Sequence, residues 1–222
     1  HTRFKCDWSS DVCSSDLNQP AAALVCELEH ERHGPAKVSI TLRREGKEVW
    51  CDDTRVTRLA DFIGRFPTVA FSSQDQQLVR GSPAGRRRWL DVAAAAMDSE
   101  YLRALLAYDK ALEARNSLLK SERATEPELE AFEAALAPAA AQLMTRRAAV
   151  LAALETHLKA AYGRIAQGAE QPALGYRPDF GEEPDADALL ARLAAGRARD
   201  RLFRTTVGGA HQIGRAHVWT PV

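Results

Sequence analysis

The chain has 222 residues, of which 45% are hydrophobic and 27% charged, as in a globular protein with an ample core. Its formal net charge is zero, so the chain as a whole is not attracted electrostatically to nucleic acid or to an acidic membrane. Any contact with nucleic acid therefore needs a local basic patch. The sequence shows no uncharged apolar run of about 18 residues and no charged start leading into an apolar segment, so we expect a cytoplasmic protein without a membrane span.

Cysteine and histidine spacing does not support a metal or hydrolase site. Cys6, Cys13, Cys26 and Cys51 form no CxxC pair, and the sequence contains neither GxSxG nor HExxH. Cys26 and Cys51 lie in strand-like sequence and are expected to be small buried side chains in a reducing compartment. We therefore expect no bound metal.

The two ends of the chain lack any helical or strand period. Residues 1–17 resemble a translated sequencing-adapter segment, and residues 213–222 have the same character. We expect both to be non-native, on a gene cut at both ends, and leave them out of the fold argument.

Residues 21–56 predict a meander of three antiparallel strands with one polar face. Apolar and polar side chains alternate over residues 24–28 and 38–42, and a third short apolar run covers residues 49–51. A short helix is expected next, ending at Gly64.

The following segment predicts a strand, a polar loop and a capped basic helix. The apolar run at residues 68–71 indicates a short buried strand, and a loop rich in Gln and Asp follows it. Ser82 is a suitable N-cap with Pro83 at the first helical position. Many α/β proteins bind a phosphate with this arrangement.

From residue 98 the pattern becomes helical and predicts an antiparallel, coiled-coil-like hairpin. Asp98 or Ser99 can cap the first helix, whose apolar seam is Tyr101, Leu105, Tyr108, Leu112 and Leu119. A capping box over residues 125–128 starts the second helix, in which Pro138 should produce a kink or a split. The seam of this helix is Leu129, Phe132, Leu136, Ala139, Leu143, Val150, Leu154, Ala161 and Ile165, with a polar interruption at about Arg146 or Arg147.

A connector rich in Gly and Pro follows the hairpin, and residues 173–177 within it could form a short strand. Asp185 then caps a helix with an apolar side. Its outer side is expected to carry five arginines: Arg192, Arg197, Arg199, Arg201 and Arg204.

Residues 71–91 carry a family resemblance. They read Phe-Ser, an amide–acid pair, Leu-Val-x-Gly-x-Pro, three Arg, Trp and Leu-Asp. This string resembles the RecF family of bacterial DNA replication and repair proteins, ABC-type ATPases related to the SMC and Rad50 proteins. The resemblance runs over residues 38–211 and is densest over 69–116. It implies an α/β fold (α+β for the residues present), namely part of an ABC/SMC-type ATPase head with a β-meander and a helical-hairpin lobe.

The resemblance also implies site residues. Gln74 matches the Q-loop, whose side chain reaches toward magnesium and the γ-phosphate of ATP, with Asp75 beside it. Members of the family more often have Pro and an acid here, so Ser73 and Gln74 depart from the pattern. Residues 204–211 resemble a family stretch Thr-x-Val-Gly-Pro-His-Arg-Asp in degraded form, and only Gly208 and His211 are carried over.

For a full-length protein the resemblance implies binding of ATP and magnesium, of single-stranded or gapped double-stranded DNA and of recombination mediator proteins, with ATP-dependent homodimerisation. The candidate DNA contacts are two basic clusters, Arg86, Arg87 and Arg88, and Arg146 and Arg147. The sequence contains no GxxxxGK[ST] phosphate loop, no Ser-x-Gly-Gln signature and no acid pair of the Walker B type. We therefore expect no catalytic residue in this chain, and neither tight ATP binding nor hydrolysis by it alone.

The expected domains follow from these assignments, with the non-native ends at 1–17 and 213–222. Between them we expect a partial ATPase lobe at 18–97, the hairpin at 98–167 and a return strand with a basic helix at 168–212. The alternative is a non-enzymatic protein-interaction module built on the hairpin, in which the Arg-rich helices are solvated faces.

Overall fold

The computed structural model describes residues 2–5, 21–30, 34–69, 71–121, 124–166, 171–178, 185–210, 213–214 and 218–219. The chain divides into two compact units, residues 1–70 and residues 71–222. The domain boundaries expected from the resemblance remain a prediction.

The first unit contains an antiparallel five-stranded sheet in the order β1 to β5. Its strands are β1 (Thr2–Lys5), β2 (Ala21–His30), β3 (Gly34–Arg43), β4 (Gly46–Cys51) and β5 (Thr54–Arg55). The three predicted strands are confirmed as β2, β3 and β4, and two short strands extend the sheet at its edges. A helix, α1 (Leu59–Phe62), follows, and Gly64 closes it with φ of 87° as predicted.

Pairing across the sheet explains why the alternating pattern predicted it. Cys26 lies opposite Val38, which lies opposite Cys51, so these apolar side chains form one row on one face. Val38, Cys51, Leu28 and Val49 are buried, and Cys26 is half-buried against them. Burial raises the pKa of the Cys51 thiol, as expected for a small core side chain.

The predicted buried strand at residues 68–71 is wrong. Val69 is 100% exposed and Phe71 is 89% exposed, and none of the described strands pairs with this segment. A strand persists only where its backbone N–H and C=O groups find partners, so apolar sequence alone does not form one.

The second unit is mainly helical. A 3-10 helix (Ser73–Gln76) and α2 (Gln77–Arg80) lead into α3 (Pro83–Met97), α4 (Ser99–Lys120), α5 (Glu126–Ala166) and α6 (Ala186–Phe203). Asp98 caps α4 by accepting a hydrogen bond from the N–H of Glu100 at 2.8 Å, and Asp185 caps α6. The predicted helices and caps are confirmed, including the capping box at Thr125 and Glu128.

Helices α4 and α5 form the predicted antiparallel hairpin, and α6 packs beside it. Tyr101, Tyr108, Leu129 and Leu143 are fully buried along the seam. Helix α5 is continuous through Pro138, so the predicted split does not occur. Two predicted seam members are exposed instead, Phe132 and Ile165.

Short backbone pairings complete the described structure. The predicted strand near residues 173–177 is present as β6 (Ala173–Leu174) and β7 (Arg177–Pro178). They pair with β9 (Val218–Trp219) and β8 (Ile213–Gly214), respectively. Strands β1, β8 and β9 lie in the two end segments, for which no strand was predicted. Backbone pairing does not require alternation of apolar and polar side chains, so the sequence pattern gave no sign of these strands. The non-native origin of those segments remains a prediction.

Candidate functional site

The segment predicted to bind a nucleotide begins with the 3-10 helix, whose N-terminus has a capping box formed by Ser72 and Asp75. Oγ of Ser72 accepts a hydrogen bond from the N–H of Gln74 at 3.2 Å, and the Asp75 carboxylate accepts one from the N–H of Ser72 at 2.5 Å. Asp75 is therefore held in the turn by its own side chain. The side chain of Gln74 is exposed, so Gln74 is the more accessible member of the predicted pair.

A tight junction links α2 to α3 and admits only glycine at position 81. The N–H of Gly81 donates to the carbonyl of Gln77 at 2.7 Å, and a Cβ on Gly81 would lie 2.4 Å from that oxygen. Nη1 of Arg86 donates to the carbonyl of Gly81 at 2.8 Å and to that of Leu78 at 3.4 Å. Arg86 thus fastens the start of α3 to the preceding turn, and Oγ of Ser82 caps the helix as predicted.

The three arginines of the first predicted basic cluster differ in their exposure to solvent. Arg86 is half-buried and binds backbone carbonyls, Arg87 is half-buried, and Arg88 is exposed. Of the three, Arg88 presents its guanidinium most openly to a phosphate. DNA contact at these residues remains a prediction.

The second predicted cluster joins two neighbours with opposite surroundings. Arg146 is half-exposed and forms ion pairs with Asp98 at 2.9 Å and with Glu100 at 3.3 Å. Arg147 is buried, and two of its nitrogens donate to the Asp91 carboxylate at 2.9–3.0 Å. The structure therefore does not offer the Arg147 guanidinium to a DNA phosphate.

Arg147 joins three parts of the second unit. Its guanidinium contacts Asp91 on α3, the Tyr101 hydroxyl on α4 at 3.1 Å and the carbonyl of Ala210 beyond α6. Burial raises the pKa of Tyr101 far above its ordinary value, so its hydroxyl stays protonated and donates to Asp91. Partial desolvation also raises the pKa of the Asp109 carboxyl, and the negative charge of Asp91 adds to this effect.

A second buried polar network lies between α4, α5 and α6, and its centre is Arg115. Arg115 donates to Glu133 at 2.8 Å, to Asp200 at 2.8 Å and to Oγ1 of Thr206 at 2.7 Å. Oδ1 of Asn116 accepts from both the N–H and the hydroxyl of Thr206. The network ties the hairpin to the residues that follow α6.

Two arginines predicted on the outer side of α6 face the hairpin instead. Arg197 donates to Glu133 at 2.6 Å and to Glu126 at 2.9 Å. Arg201 donates to Glu126 at 2.6 Å and to the carbonyl of Ala124 at 2.7 Å. The prediction that Arg197 and Arg201 lie on the outer side of α6 is therefore wrong. Their partners are two carboxylates of α5 and a carbonyl just before it, and the sequence of α6 alone does not indicate these partners.

The role of Arg115 was not predicted, although the apolar seam of α4 contained a signal for it. The apolar positions of α4 step by four and three residues up to Leu112, and the next is Leu119. A residue three positions after Leu112 would complete the seam, and that residue is Arg115, which is 0% exposed. A charged side chain at a seam position requires a buried counterion, which Glu133 and Asp200 supply.

The carboxylate of Glu126 permits a pH test of the contact between α5 and α6. Hydrogen bonds from Arg201 and Arg197 hold the pKa of Glu126 below its ordinary 4.5. A lowered pKa in the folded state stabilises the fold above pH 4.5, and this contribution is lost as the pH falls through the folded-state pKa. We expect R201M to raise the pKa of Glu126 toward its ordinary value in an NMR titration of the carboxyl carbon.

Glu128 is the internal control for this titration. Its pKa is lowered by the backbone N–H and the hydroxyl of Thr125, neither of which involves α6. The pKa of Glu128 should therefore not change in R201M. If the pKa of Glu126 also stays unchanged, the hydrogen bond between Arg201 and Glu126 is contradicted.

Within the described residues, no group of His, Cys, Asp and Glu is placed to hold a metal ion. The described helices also include none with both the length and the apolar character needed to cross a bilayer.

Comparison with models of known protein families finds no match. Among curated proteins, the chain is 37% identical over 200 residues to the DNA replication and repair protein RecF of Geobacter metallireducens, covering 88% of this chain and 54% of that protein. It is 34% identical over 171 residues to RecF of Phocaeicola vulgatus, covering 77% of this chain and 45% of that protein. The chain spans about half the length of the curated relatives it matches.

Solved structures agree with these relatives. A structure described as the recombination mediator protein RecF-ATP in the RecFOR pathway matches with a TM-score of 0.81 and 25% identity, covering 89% of this chain and 55% of that chain. A second, described as RecF-ATPrS, matches with a TM-score of 0.79. The mixed α and β fold described above is thus similar to about half of a RecF structure.

Proposed function

Because this chain belongs to the RecF family of DNA replication and repair proteins over the part it shares with them, we propose that it is part of an ATP-dependent repair protein that binds single-stranded or gapped DNA. The observation that carries the proposal is the 37% identity to a RecF protein over 200 residues. The match to a structure described as RecF-ATP supports the nucleotide part of the proposal.

Gln74 is the residue of this chain that we propose to face the nucleotide. It is exposed at the first turn after residue 71, and the Ser72 cap fixes its backbone. An amide oxygen is a suitable ligand for Mg²⁺, which takes its other ligands from phosphates and water. Asp75 contributes by holding the turn, since its carboxylate accepts from Ser72.

DNA contact would use phosphates rather than bases. The accessible guanidinium of Arg88 and the half-exposed one of Arg146 are the candidates that the geometry leaves, because Arg147 is enclosed by Asp91 and Tyr101. Contacts of this kind weaken steeply with salt. The logarithm of the DNA-binding constant should therefore fall linearly with the logarithm of the salt concentration. Recombination mediator proteins and a second copy of the protein are the further partners that we propose.

The chain by itself should not bind ATP tightly. It contains no GxxxxGK[ST] string, so the backbone cradle and lysine that bind the phosphates are missing. Isothermal titration of the 222-residue chain with Mg-ATP should show no saturation at micromolar nucleotide. Micromolar affinity would contradict this prediction.

A chimera tests the function itself. We would replace the matching segment of RecF from Geobacter metallireducens with residues 21–210 of this chain and measure ATP hydrolysis. The chimera should hydrolyse ATP, and Gln74→Ala should lower its rate by about tenfold or more, as for other groups that act on developing charge. The control is Gln77→Ala in α2. A folded but inactive chimera would favour the hairpin interaction module instead.

A further inference from the structure

Helix α6 carries arginines on two flanks, and only one flank finds carboxylates. Arg197 and Arg201 face the start of α5 and form ion pairs with its carboxylates. Arg192 and Arg199 are exposed on the other flank, and no Asp or Glu stands three or four positions from either of them along α6. Within the described residues, no ion pair or side-chain hydrogen bond involves Arg192 or Arg199.

These two positive charges are in excess of the buried network beside them. That network is balanced, because three arginines face three carboxylates, namely Arg115, Arg197 and Arg201 with Glu126, Glu133 and Asp200. It therefore has no carboxylate left over for the other flank of α6.

A cleft of about 340 Å³ lies between this flank and the residues that follow the helix. Arg192 and Arg199 line it together with Gly196, and Gly208 lies on the opposite side. The two arginines are seven positions apart, so they point to the same side of α6 at a separation of about 10 Å along its axis. Both long side chains can therefore reach one ligand that lies between them.

The carboxylate among the described lining residues is already paired. Asp200 is buried, one of its oxygens accepts from Arg115 at 2.8 Å, and the other accepts from the N–H of Val207 at 2.9 Å. It does not neutralise the arginines at the surface of the cleft. A negatively charged ligand would complement them.

Gly196 is a second, independent sign that a ligand approaches this flank. A glycine inside a helix is unfavourable relative to alanine, so its presence needs a reason. Packing does not supply one, because a Cβ on Gly196 would meet only Oδ2 of Asp200, at an ordinary contact distance of 3.9 Å. The missing side chain instead leaves the floor of the cleft open between Arg192 and Arg199.

We propose that the cleft between α6 and residues 207–208 binds a phosphate group, which Arg192 and Arg199 hold through charge-assisted hydrogen bonds. A phosphate has enough oxygens to serve both guanidinium groups at once, whereas the two oxygens of a carboxylate are used by a single bidentate arginine. Phosphate binding stands apart from the proposed function. A nucleic-acid backbone as the source of the phosphate would rest on that function and extend its DNA contacts to α6.

Amide NMR of the isotope-labelled 222-residue chain tests the proposal. Inorganic phosphate, an oligo-dT strand and acetate are titrated separately, and the amide resonance of Gly208 is followed. It should shift and saturate with a phosphate-containing ligand and should respond far less to acetate. Gly163, which is exposed near the end of α5, is the internal control, and its resonance should not move.

Arg199→Gln and Arg192→Gln should each weaken binding about tenfold, as expected for loss of a charge-assisted hydrogen bond. Arg164→Gln is the matched control, because Arg164 is exposed on α5 and lies outside the cleft. It should leave the affinity unchanged. Circular dichroism of each variant confirms that it is folded.

Gly196→Ala separates binding from stability. Alanine favours the helix and fits the space, so urea unfolding should show no loss of stability. Its methyl group nevertheless occupies the floor of the cleft, so the titration of Gly208 should show weaker binding.

The two phosphate ligands distinguish the source. Saturation by oligo-dT that Arg199→Gln weakens assigns a nucleic-acid backbone, and saturation by inorganic phosphate alone assigns free phosphate. The proposal fails if neither ligand saturates, if acetate acts equally, or if Arg164→Gln weakens binding as much as Arg199→Gln does.

The chimera described above tests the nucleic-acid source in the longer protein. If the chimera binds DNA, Arg199→Gln should weaken that binding, and an unchanged affinity would mean that the rest of the protein covers the cleft, so the nucleic-acid source fails. If the chimera binds no DNA, the proposed DNA contact fails, and the titration with inorganic phosphate still decides whether the cleft binds phosphate.

Discussion

Replacing Arg115 with methionine should lower the free energy of unfolding by about 3–5 kcal/mol, because it leaves the buried Asp200 carboxylate without its counterion and the buried Glu133 carboxylate with Arg197 alone. Arg115 and Glu133 are both 0% exposed, and Asp200 is buried beside them. Arg115 also donates to Oγ1 of Thr206, which would lose this donor. Methionine restores some of the lost volume, so the expected cost is electrostatic rather than that of a cavity. Urea unfolding followed by circular dichroism measures it.

The control for this variant is Arg103→Met on the same helix. Arg103 is 67% exposed and pairs with Glu100 one turn away. Exposed pairs of this kind contribute about 0–1 kcal/mol, so this variant should remain close to the parent protein. A loss below about 1 kcal/mol for Arg115→Met would mean that water or a side-chain shift compensates the Asp200 carboxylate, contrary to the buried network.

The fold was predictable where the pattern within one segment determines the structure. Alternation placed β2 to β4 because one face of the sheet packs Val38 and Val49 in its core. Ser82, Asp98 and Asp185 marked helix starts because each accepts hydrogen bonds from N–H groups of its own first turn. These are local interactions, so one stretch of sequence contains both partners.

What the sequence did not predict depends on partners distant in the chain. Arg197 faces Glu133 across 64 positions, and Arg115 faces Asp200 across 85. The apolar run ending at Phe71 has the composition of a strand, but no described strand pairs with it. For the candidate site, the polar loop around Gln74 was predictable from the sequence, whereas the accessibility of each arginine was not, because it depends on packing between helices.

Replacing Arg147 with methionine should be far more damaging than the same change at its neighbour Arg146. The buried Arg147 guanidinium pairs with the Asp91 carboxylate and donates to the carbonyl of the buried Ala210, so its removal leaves Asp91 without this counterion and Ala210 without this donor. We expect a loss of about 3 kcal/mol or more in the free energy of unfolding. Arg146→Met removes half-exposed ion pairs to Asp98 and Glu100 and should cost about 1 kcal/mol or less. Urea unfolding of the two variants side by side measures the difference.

The same pair of variants separates a structural arginine from a DNA-binding one. In a chimera that binds DNA, Arg146→Met should reduce the affinity equally for all sequences and lower the salt slope by about one, because one phosphate contact is lost. A conservative variant, Arg147→Lys, keeps the positive charge beside Asp91 but loses the bidentate geometry. It should reduce stability and leave the salt slope of the folded chimera unchanged. If Arg147→Lys instead lowers the salt slope while Arg146→Met does not, the guanidinium of Arg147 reaches DNA, and its enclosure by Asp91 and Tyr101 opens in the complex.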